Sequence, residues 1–359
     1  MAGLGVISYN MSVFSAMGDK ETLHASEYSF LRRAEVTPGQ PTDFFMNALK
    51  DLSSTATRIQ AKVIGIQEFH PPTLDMIMGK LNTMGKFKYH AFSKEIMNKA
   101  AVLTIWDTEL GDIEGEPYQQ DLIFRPDGTL IEGLGLAIKK QLSPTVILPM
   151  DEGRPISIIK TTKGYTLINF HGINRPKYKP DGTETFLDNS AILKTLIAEH
   201  CKHANVGQMD PNKIIIMCDS NDREHGINRA NPLMIETKGG LVRFHDGNYP
   251  RDGAVSCCYN WDSCGVKPNV IPEPAKSTKP FPGKLSLDAT GAEKEYKYTG
   301  DYILSANFIT PVTAEESNVD PTGASISSDH KLVYAILPMP MAGGRRKMRK
   351  TRKSKERKL

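Results

Sequence analysis

A mixed α/β sandwich is the fold class that this 359-residue sequence predicts. Three observations predict it. Strand–helix–strand units open the chain, hairpin-forming pairs occupy its middle, and apolar strands close it. Several strands are apolar on both faces, so helices must cover the outer sides of the sheets. No linker interrupts the chain before Pro340, which predicts one domain over residues 1–340 and a tail over 341–359.

The elements follow in order. Gly5 to Tyr9 (GVISY) is a short strand. Thr42 to Lys62 is a helix, with Phe45, Leu49 and Leu52 on one stripe and Thr42-Asp43 at its start. Val63 to Gln67 (VIGIQ) is a buried strand, and Pro72 to Met84 is helical. Ala101 to Trp106 and Gly133 to Lys139 are strands. Pro155 to Lys160 and Tyr165 to Phe170 alternate on either side of TTKG, which predicts a hairpin. Phe186 to Lys202 is an amphipathic helix. Lys213 to Cys218, Tyr302 to Ser305 and Lys331 to Leu337 are the remaining strands. Leu110 to Leu130 is read as a loop, and Arg223 to Lys297, rich in Pro and Gly, as loops and short strands.

Composition bounds the classes. A chain 39% hydrophobic and 24% charged is that of a soluble globular protein. No stretch approaches the roughly 20 apolar residues that span a bilayer. MAGLGVISYN has no charged region followed by an apolar run, so no secretory signal is expected, and Ala2 stands where N-myristoylation needs glycine. The cysteines are Cys201, Cys218, Cys257, Cys258 and Cys264. An odd, scattered set without a signal predicts an intracellular, reducing compartment. Cys201 and Cys218 read as core fillers. The spacing CCxxxxxC, with His245 as a fourth ligand, is not a zinc pattern.

Charge is unevenly spread. Ten of the 45 Lys and Arg, and one of the 41 Asp and Glu, fall in AGGRRKMRKTRKSKERKL at the end of the chain. What is left has 35 basic and 40 acidic residues, so a mildly acidic globule carries a basic tail. Such a block binds polyanions through phosphate contacts and counterion release, acts as a nuclear address, or packs the protein into a particle. In style it is similar to the basic tails of proteins from large DNA viruses.

The chemistry gathers where the strands stop. Strand GVISY ends in Asn10, VIGIQ in Glu68, YTLINF in His171, and IIIMC in Asp219 and Asn221. Asp301 precedes YIL, and Ser328, Asp329 and His330 precede KLVYAIL. Polar groups at the ends of many apolar strands predict a common rim that binds a ligand. Glu68 with a nearby Asn or Asp suits Mg²⁺, a hard ion that takes oxygen ligands and keeps several waters. Asp219 and Asn221, two apart, project the same way while the strand persists. One can hold or polarise a water while the other gives its amide to a phosphate oxygen. His330 is suited to proton transfer, with Asp301 as the carboxylate that fixes its tautomer.

The order SYN, IQE, NFH, DSN, GDYIL, SSDH resembles the endonuclease/exonuclease/phosphatase superfamily, the deoxyribonuclease-like fold, from about Gly5 to Leu337. The resemblance implies a four-layer α/β sandwich with two packed mixed β-sheets flanked by helices. It implies Glu68 as the main metal ligand with Asn10 close by, and Asp329 beside the metal or a second ion. It implies that His171 contacts the scissile phosphate, that Asp219 orients or activates water, and that Asn221 holds the phosphate and Asp219. Asp301 would orient His330. The cofactor implied is Mg²⁺, with Mn²⁺ as a substitute.

The chain departs from the family pattern in two places. Cys218-Asp219-Ser220-Asn221 replaces Gly-Asp-Phe-Asn, and a residue larger than Gly before Asp219 is expected to narrow the rim. Thr299-Gly300-Asp301-Tyr302 replaces Arg-Ile-Asp-Tyr. The Trp-Cys-Asp-Arg signature of inositol-polyphosphate phosphatases is missing. The sequence therefore predicts a Mg²⁺-dependent phosphoesterase, foremost a nuclease with nucleic acid bound at the site and at the basic residues within 345–358. The alternatives are a phosphatase on a small or lipid phosphate, and a silent scaffold whose working part is the tail.

Overall fold

The computed structural model describes residues 3–12, 40–83, 85–92, 101–124, 130–132, 152–172, 176–178, 184–186, 197–198, 200–220, 233–237, 239–247, 300–315, 327–328 and 330–339. The expected strand at Gly133 to Lys139, Asn221, Asp329, Cys257, Cys258, Cys264 and the basic tail lie outside these residues.

Two six-stranded mixed sheets carry the molecule. The first contains β1 (Gly3–Asn10), β2 (Ala61–Phe69), β3 (Phe87–Phe92), β4 (Ala101–Asp107), β15 (Thr313–Ala314) and β16 (Val333–Pro338), in the order β15-β16-β1-β2-β4-β3. The second contains β5 (Tyr118–Phe124), β6 (Leu130–Glu132), β7 (Glu152–Lys160), β8 (Thr166–His171), β11 (Ile214–Asp219) and β14 (Asp301–Leu304), in the order β14-β11-β8-β7-β5-β6. Two short hairpins complete the described strands. They are β9 (Pro176–Tyr178) with β10 (Glu184–Phe186), and β12 (Leu233–Thr237) with β13 (Gly240–Phe244).

Each sheet is built on one parallel pair, β1 with β2 and β8 with β11. Antiparallel strands flank each pair: β16 and β4 in the first sheet, β14 and β7 in the second. The C-terminal ends of the parallel strands and the N-terminal ends of β14 and β16 therefore meet at one end of the sandwich. That topology places the predicted rim.

Side-chain alternation sorts each strand between two cores. On β1, Leu4 and Val6 face the second sheet, while Ile7 and Tyr9 face the helices. On β2, Val63 packs between the sheets, and Ile64 and Ile66 lie under the helices. Helix α1 (Asp43–Arg58) covers this outer side with Phe45, Ala48, Leu49 and Leu52, and α2 (Leu74–Leu81) adds Ile77. Outside the second sheet, helical residues Ile197 and Cys201 join the core with Ile216 and Cys218. The layers thus run helix, sheet, sheet, helix. Cys201 and Cys218 are both buried, as core fillers should be.

The sheets approach closely at one point. A Cβ on Gly65 of β2 would lie 2.7 Å from Cβ of Met217 on β11, so glycine here lets the two sheets interdigitate.

Several boundaries differ from the sequence-based expectation. Thr42 caps α1 by accepting a hydrogen bond from the Phe45 amide, as expected. The helix stops at Arg58, however, because Gln60 turns left-handed at φ 50° and the chain enters β2 at Ala61. Lys62 therefore belongs to a strand. Phe186 does too: its backbone pairs with Pro176 in the β9–β10 hairpin before any helix can start. Leu110 to Leu130 is not all loop, since Tyr118–Phe124 pairs with β7 over its whole length. The hairpin around TTKG is present, with β7 and β8 antiparallel and Gly164 at φ +79° in the turn. No described helix is long and apolar enough to cross a membrane.

A buried histidine ties the outer helix to the second sheet. His200 Nδ1 lies 2.7 Å from the Tyr118 hydroxyl, and burial pushes the imidazole pKa down to about 3. Burial also raises Tyr118, to about 12, so its hydroxyl keeps the proton it donates. Folding must hold His200 neutral, whereas in the unfolded chain it protonates near its ordinary value of about 6.5. Stability is thus intact above that value and falls as pH drops through it toward 3. Between pH 7 and pH 5 this costs about 2 kcal/mol. Urea unfolding at the two pH values should show that extra loss in the wild type, and its absence in His200→Leu.

Candidate active site

Five of the predicted residues meet at the sandwich end, four of them by strand parity. Asn10, His171 and Asp219 occupy the last positions of β1, β8 and β11. They fall on the same faces as Val6, Leu167 and Met217, between the sheets. Asp219 pairs with His171 on one side and with Asp301 on the other. His330 enters just ahead of β16. All five side chains are almost fully buried.

Glu68 breaks the parity rule. Ile66 and Phe69 both pack under the helices, yet they are three residues apart, which regular alternation forbids. A bulge between Ile66 and Phe69 resolves this by inserting one extra residue, with Glu68 at φ 49°. The bulge turns Glu68 from the helix side to the rim. Its Oε1 lies 3.7 Å from His171 Nε2.

The hydrogen bonds fix how these side chains are oriented. His330 Nδ1 is 3.0 and 3.2 Å from the two carboxylate oxygens of Asp301, so it carries the proton and donates it. Nε2 is thereby left facing Asp219 Oδ2 at 3.8 Å and Asn10 Nδ2 at 3.4 Å. The orientation of Asn10 is set by Ser12, whose amide donates to Oδ1 at 2.9 Å. Its Nδ2 then donates to Asp219 Oδ2 at 2.9 Å. His171 Nε2 lies 3.5 Å from that same oxygen. Ser328, expected only as part of the SSDH motif, accepts from the His330 amide and donates to the Asn10 carbonyl at 2.7 Å. It joins the end of β1 to the loop that carries His330.

Three carboxylates and two imidazoles in so small a volume suit a cation, because buried charges persist when paired or coordinated. Atoms of Asp219, Asp301 and His330 all lie within 4.8 Å of one another. The His330–Asp301 hydrogen bond already occupies two of these three groups. Glu68 is more open, with its side chain 21% exposed, and its oxygens suit a hard divalent ion.

The two spacers of the DSN motif find their reasons here. Cys218 is fully buried on the outer face of β11, with Phe170 and Tyr302 as its register partners. Contrary to expectation it does not narrow the rim, because alternation turns it away from Asp219. Ser220 is fully buried as well. Both its amide and its hydroxyl donate to the Gly300 carbonyl at 2.7 Å, which holds the ends of β11 and β14 together. His245, weighed as a zinc ligand, instead accepts from the Gly247 amide through Nδ1 and faces the Ala306 carbonyl through Nε2. It is a structural histidine.

No protein-family profile and no curated protein sequence matches the chain. Solved structures do. The mannosyl-6-phosphatase Bt3783 of Bacteroides thetaiotaomicron VPI-5482 superposes with a TM-score of 0.50 at 13% identity, over 93% of this chain and 99% of that one. The chain has the endonuclease/exonuclease/phosphatase fold. A protein of that family from Bacteroides thetaiotaomicron covers 94% of this chain and 98% of its own at 13% identity and TM-score 0.49. Truncated TDP2 of Caenorhabditis elegans covers 93% and 97% at 10% identity and TM-score 0.46. At such identities the endonuclease/exonuclease/phosphatase likeness is one of fold, and the chemistry rests on the side chains at the strand ends.

Proposed function

We propose that this protein is a divalent-metal-dependent phosphoester hydrolase, and that its substrate is a nucleic-acid phosphodiester. The observation that carries the chemistry is the buried pair His330–Asp301 facing Asp219, with Glu68 turned toward them by a bulge. Water attacks phosphorus opposite the leaving oxygen, so one O–P bond forms as the other breaks. Asp219, its Oδ2 held by the Asn10 amide, orients the water and takes its proton. When protonated at Nε2, His330 donates to a phosphate oxygen while Asp301 offsets the imidazolium charge. His171, which lies between Glu68 and Asp219, would contact the phosphate. Glu68, with Asn10 near it, would hold Mg²⁺ or Mn²⁺, which supplies neutralisation of the charge that builds on the phosphate. Asn221 and Asp329 complete the proposal as phosphate donor and metal neighbour, because they adjoin Ser220 and His330 in the chain.

The basic residues within 345–358 favour a polyanionic substrate. The superposition on the mannosyl-6-phosphatase Bt3783 favours the second reading, a phosphatase on a small phosphate. A substrate panel separates them. The full chain should cleave labelled DNA or RNA with Mg²⁺ or Mn²⁺ and lose that activity in chelator. Removing residues 341–359 should weaken nucleic-acid cleavage and flatten its salt dependence. Activity confined to phosphomonoesters and indifferent to the tail would establish the second reading. No metal-dependent activity on any substrate would refute both.

A further inference from the structure

Asn169 and Gln67 belong to no role assigned so far, yet both are fully buried between the sheets, one residue pair inward from His171 and Glu68. Asn169 lies on β8 of the second sheet. Its Nδ2 crosses to the first sheet and donates to the carbonyls of Ile66 at 3.2 Å and Leu103 at 3.0 Å. Ile66 and Leu103 are the last register partners of β2 and β4 before the bulge. The Gln67 Nε2 donates back to Asn169 Oδ1 at 2.8 Å and to Ser8 Oγ at 3.2 Å. The Gln67 carbonyl accepts from the Met11 amide, one residue past Asn10.

We infer that Asn169 and Gln67 are positioning residues that set the bulge and thereby the aim of Glu68. A bulge interrupts the ladder and leaves backbone carbonyls to be satisfied by other donors. Asn169 supplies those donors from the opposite sheet. Gln67 locks the orientation of the Asn169 amide and ties the bulge to β1, which carries Asn10. Without them, β2 would relax toward regular alternation, and Glu68 would swing toward the helix side. The same asparagine couples the two sheets next to the site, so the distance between Glu68 and His171 depends on it.

This inference rests on the proposed role of Glu68 as metal ligand, and the test keeps the two apart. Mn²⁺ binding to the full-length protein, without substrate, is followed by electron paramagnetic resonance. The variants are Asn169→Leu, the milder Gln67→Leu, and Glu68→Gln. Leu167→Ala, a core truncation on the same strand, controls for lost stability. Glu68→Gln should abolish the site. Asn169→Leu and Gln67→Leu should weaken Mn²⁺ binding about 10-fold or more, the range for groups that orient metal ligands, while Leu167→Ala stays within about two-fold. If Asn169→Leu does not fold, Gln67→Leu alone decides. Wild-type Mn²⁺ affinity in Gln67→Leu, with loss in Glu68→Gln, would overturn the positioning role alone. Unchanged binding in Glu68→Gln would overturn the metal role beneath it.

Discussion

Asp219→Asn should lower phosphoester hydrolysis by about 10³- to 10⁴-fold, the upper range for removing a positioned general base. The substitution keeps shape and hydrogen bonding. An amide oxygen at the Oδ2 position still accepts from Asn10 Nδ2, so the local structure is retained. What disappears is a negative charge 3.5 Å from His171 and 3.8 Å from His330, and with it the acceptor for the water proton. Because Asp219 is 1% exposed and its carboxylate lies within 4.8 Å of that of Asp301, losing its charge should leave the thermal midpoint unchanged or raise it. Single-turnover rates and thermal melts on the same preparation check both halves. Near-wild-type turnover would show that Asp219 is not the group that handles the attacking water.

Gly172→Ala should be the most damaging single methyl group in the described molecule. A Cβ at Gly172 would lie 2.1 Å from the Ser220 carbonyl oxygen and 2.6 Å from its carbon. These are backbone atoms, so no rotamer change relieves the overlap. The contact is fixed from both sides: the Gly172 amide donates to the Asp219 carbonyl, and Ser220 is bound twice to Gly300. The strands must therefore part at their site ends. That should cost about 3 kcal/mol or more and misplace His171 relative to Asp219. Denaturant unfolding gives the stability loss, and turnover should fall further than stability alone explains. A neutral result would mean that the ends of β8 and β11 separate freely.

The strongly apolar stretches were legible because their patterns are local. VIGIQ, AVLTIW, YTLINF and IIIMC each read as a strand, and each forms one. The edge strands were harder. FKYHAF of β3 is buried only at its two ends, and YQQDLIF of β5 is polar at its start, so pairing with β4 and β7 decides them. Phe186 and Lys62 went the same way, taken from expected helices by backbone partners elsewhere in the chain.

The site divides along the same line. The sequence alone placed Asn10, His171, Asp219, Asp301 and His330 at or beside strand ends, and parity carried Asn10, His171, Asp219 and Asp301 to one rim without further information. It also located Glu68, but alternation would have pointed that carboxylate at the helices. Only the tertiary structure corrects this, through a bulge stabilised by Asn169 from the other sheet, roughly a hundred residues away in the chain. Ser220 and Cys218 likewise acquired their meaning from Gly300 and from the face of β11 on which each sits. The physical reason is range. Period-two alternation is written in neighbouring residues, whereas a bulge and its donors depend on two sheets meeting, and no local pattern records that meeting.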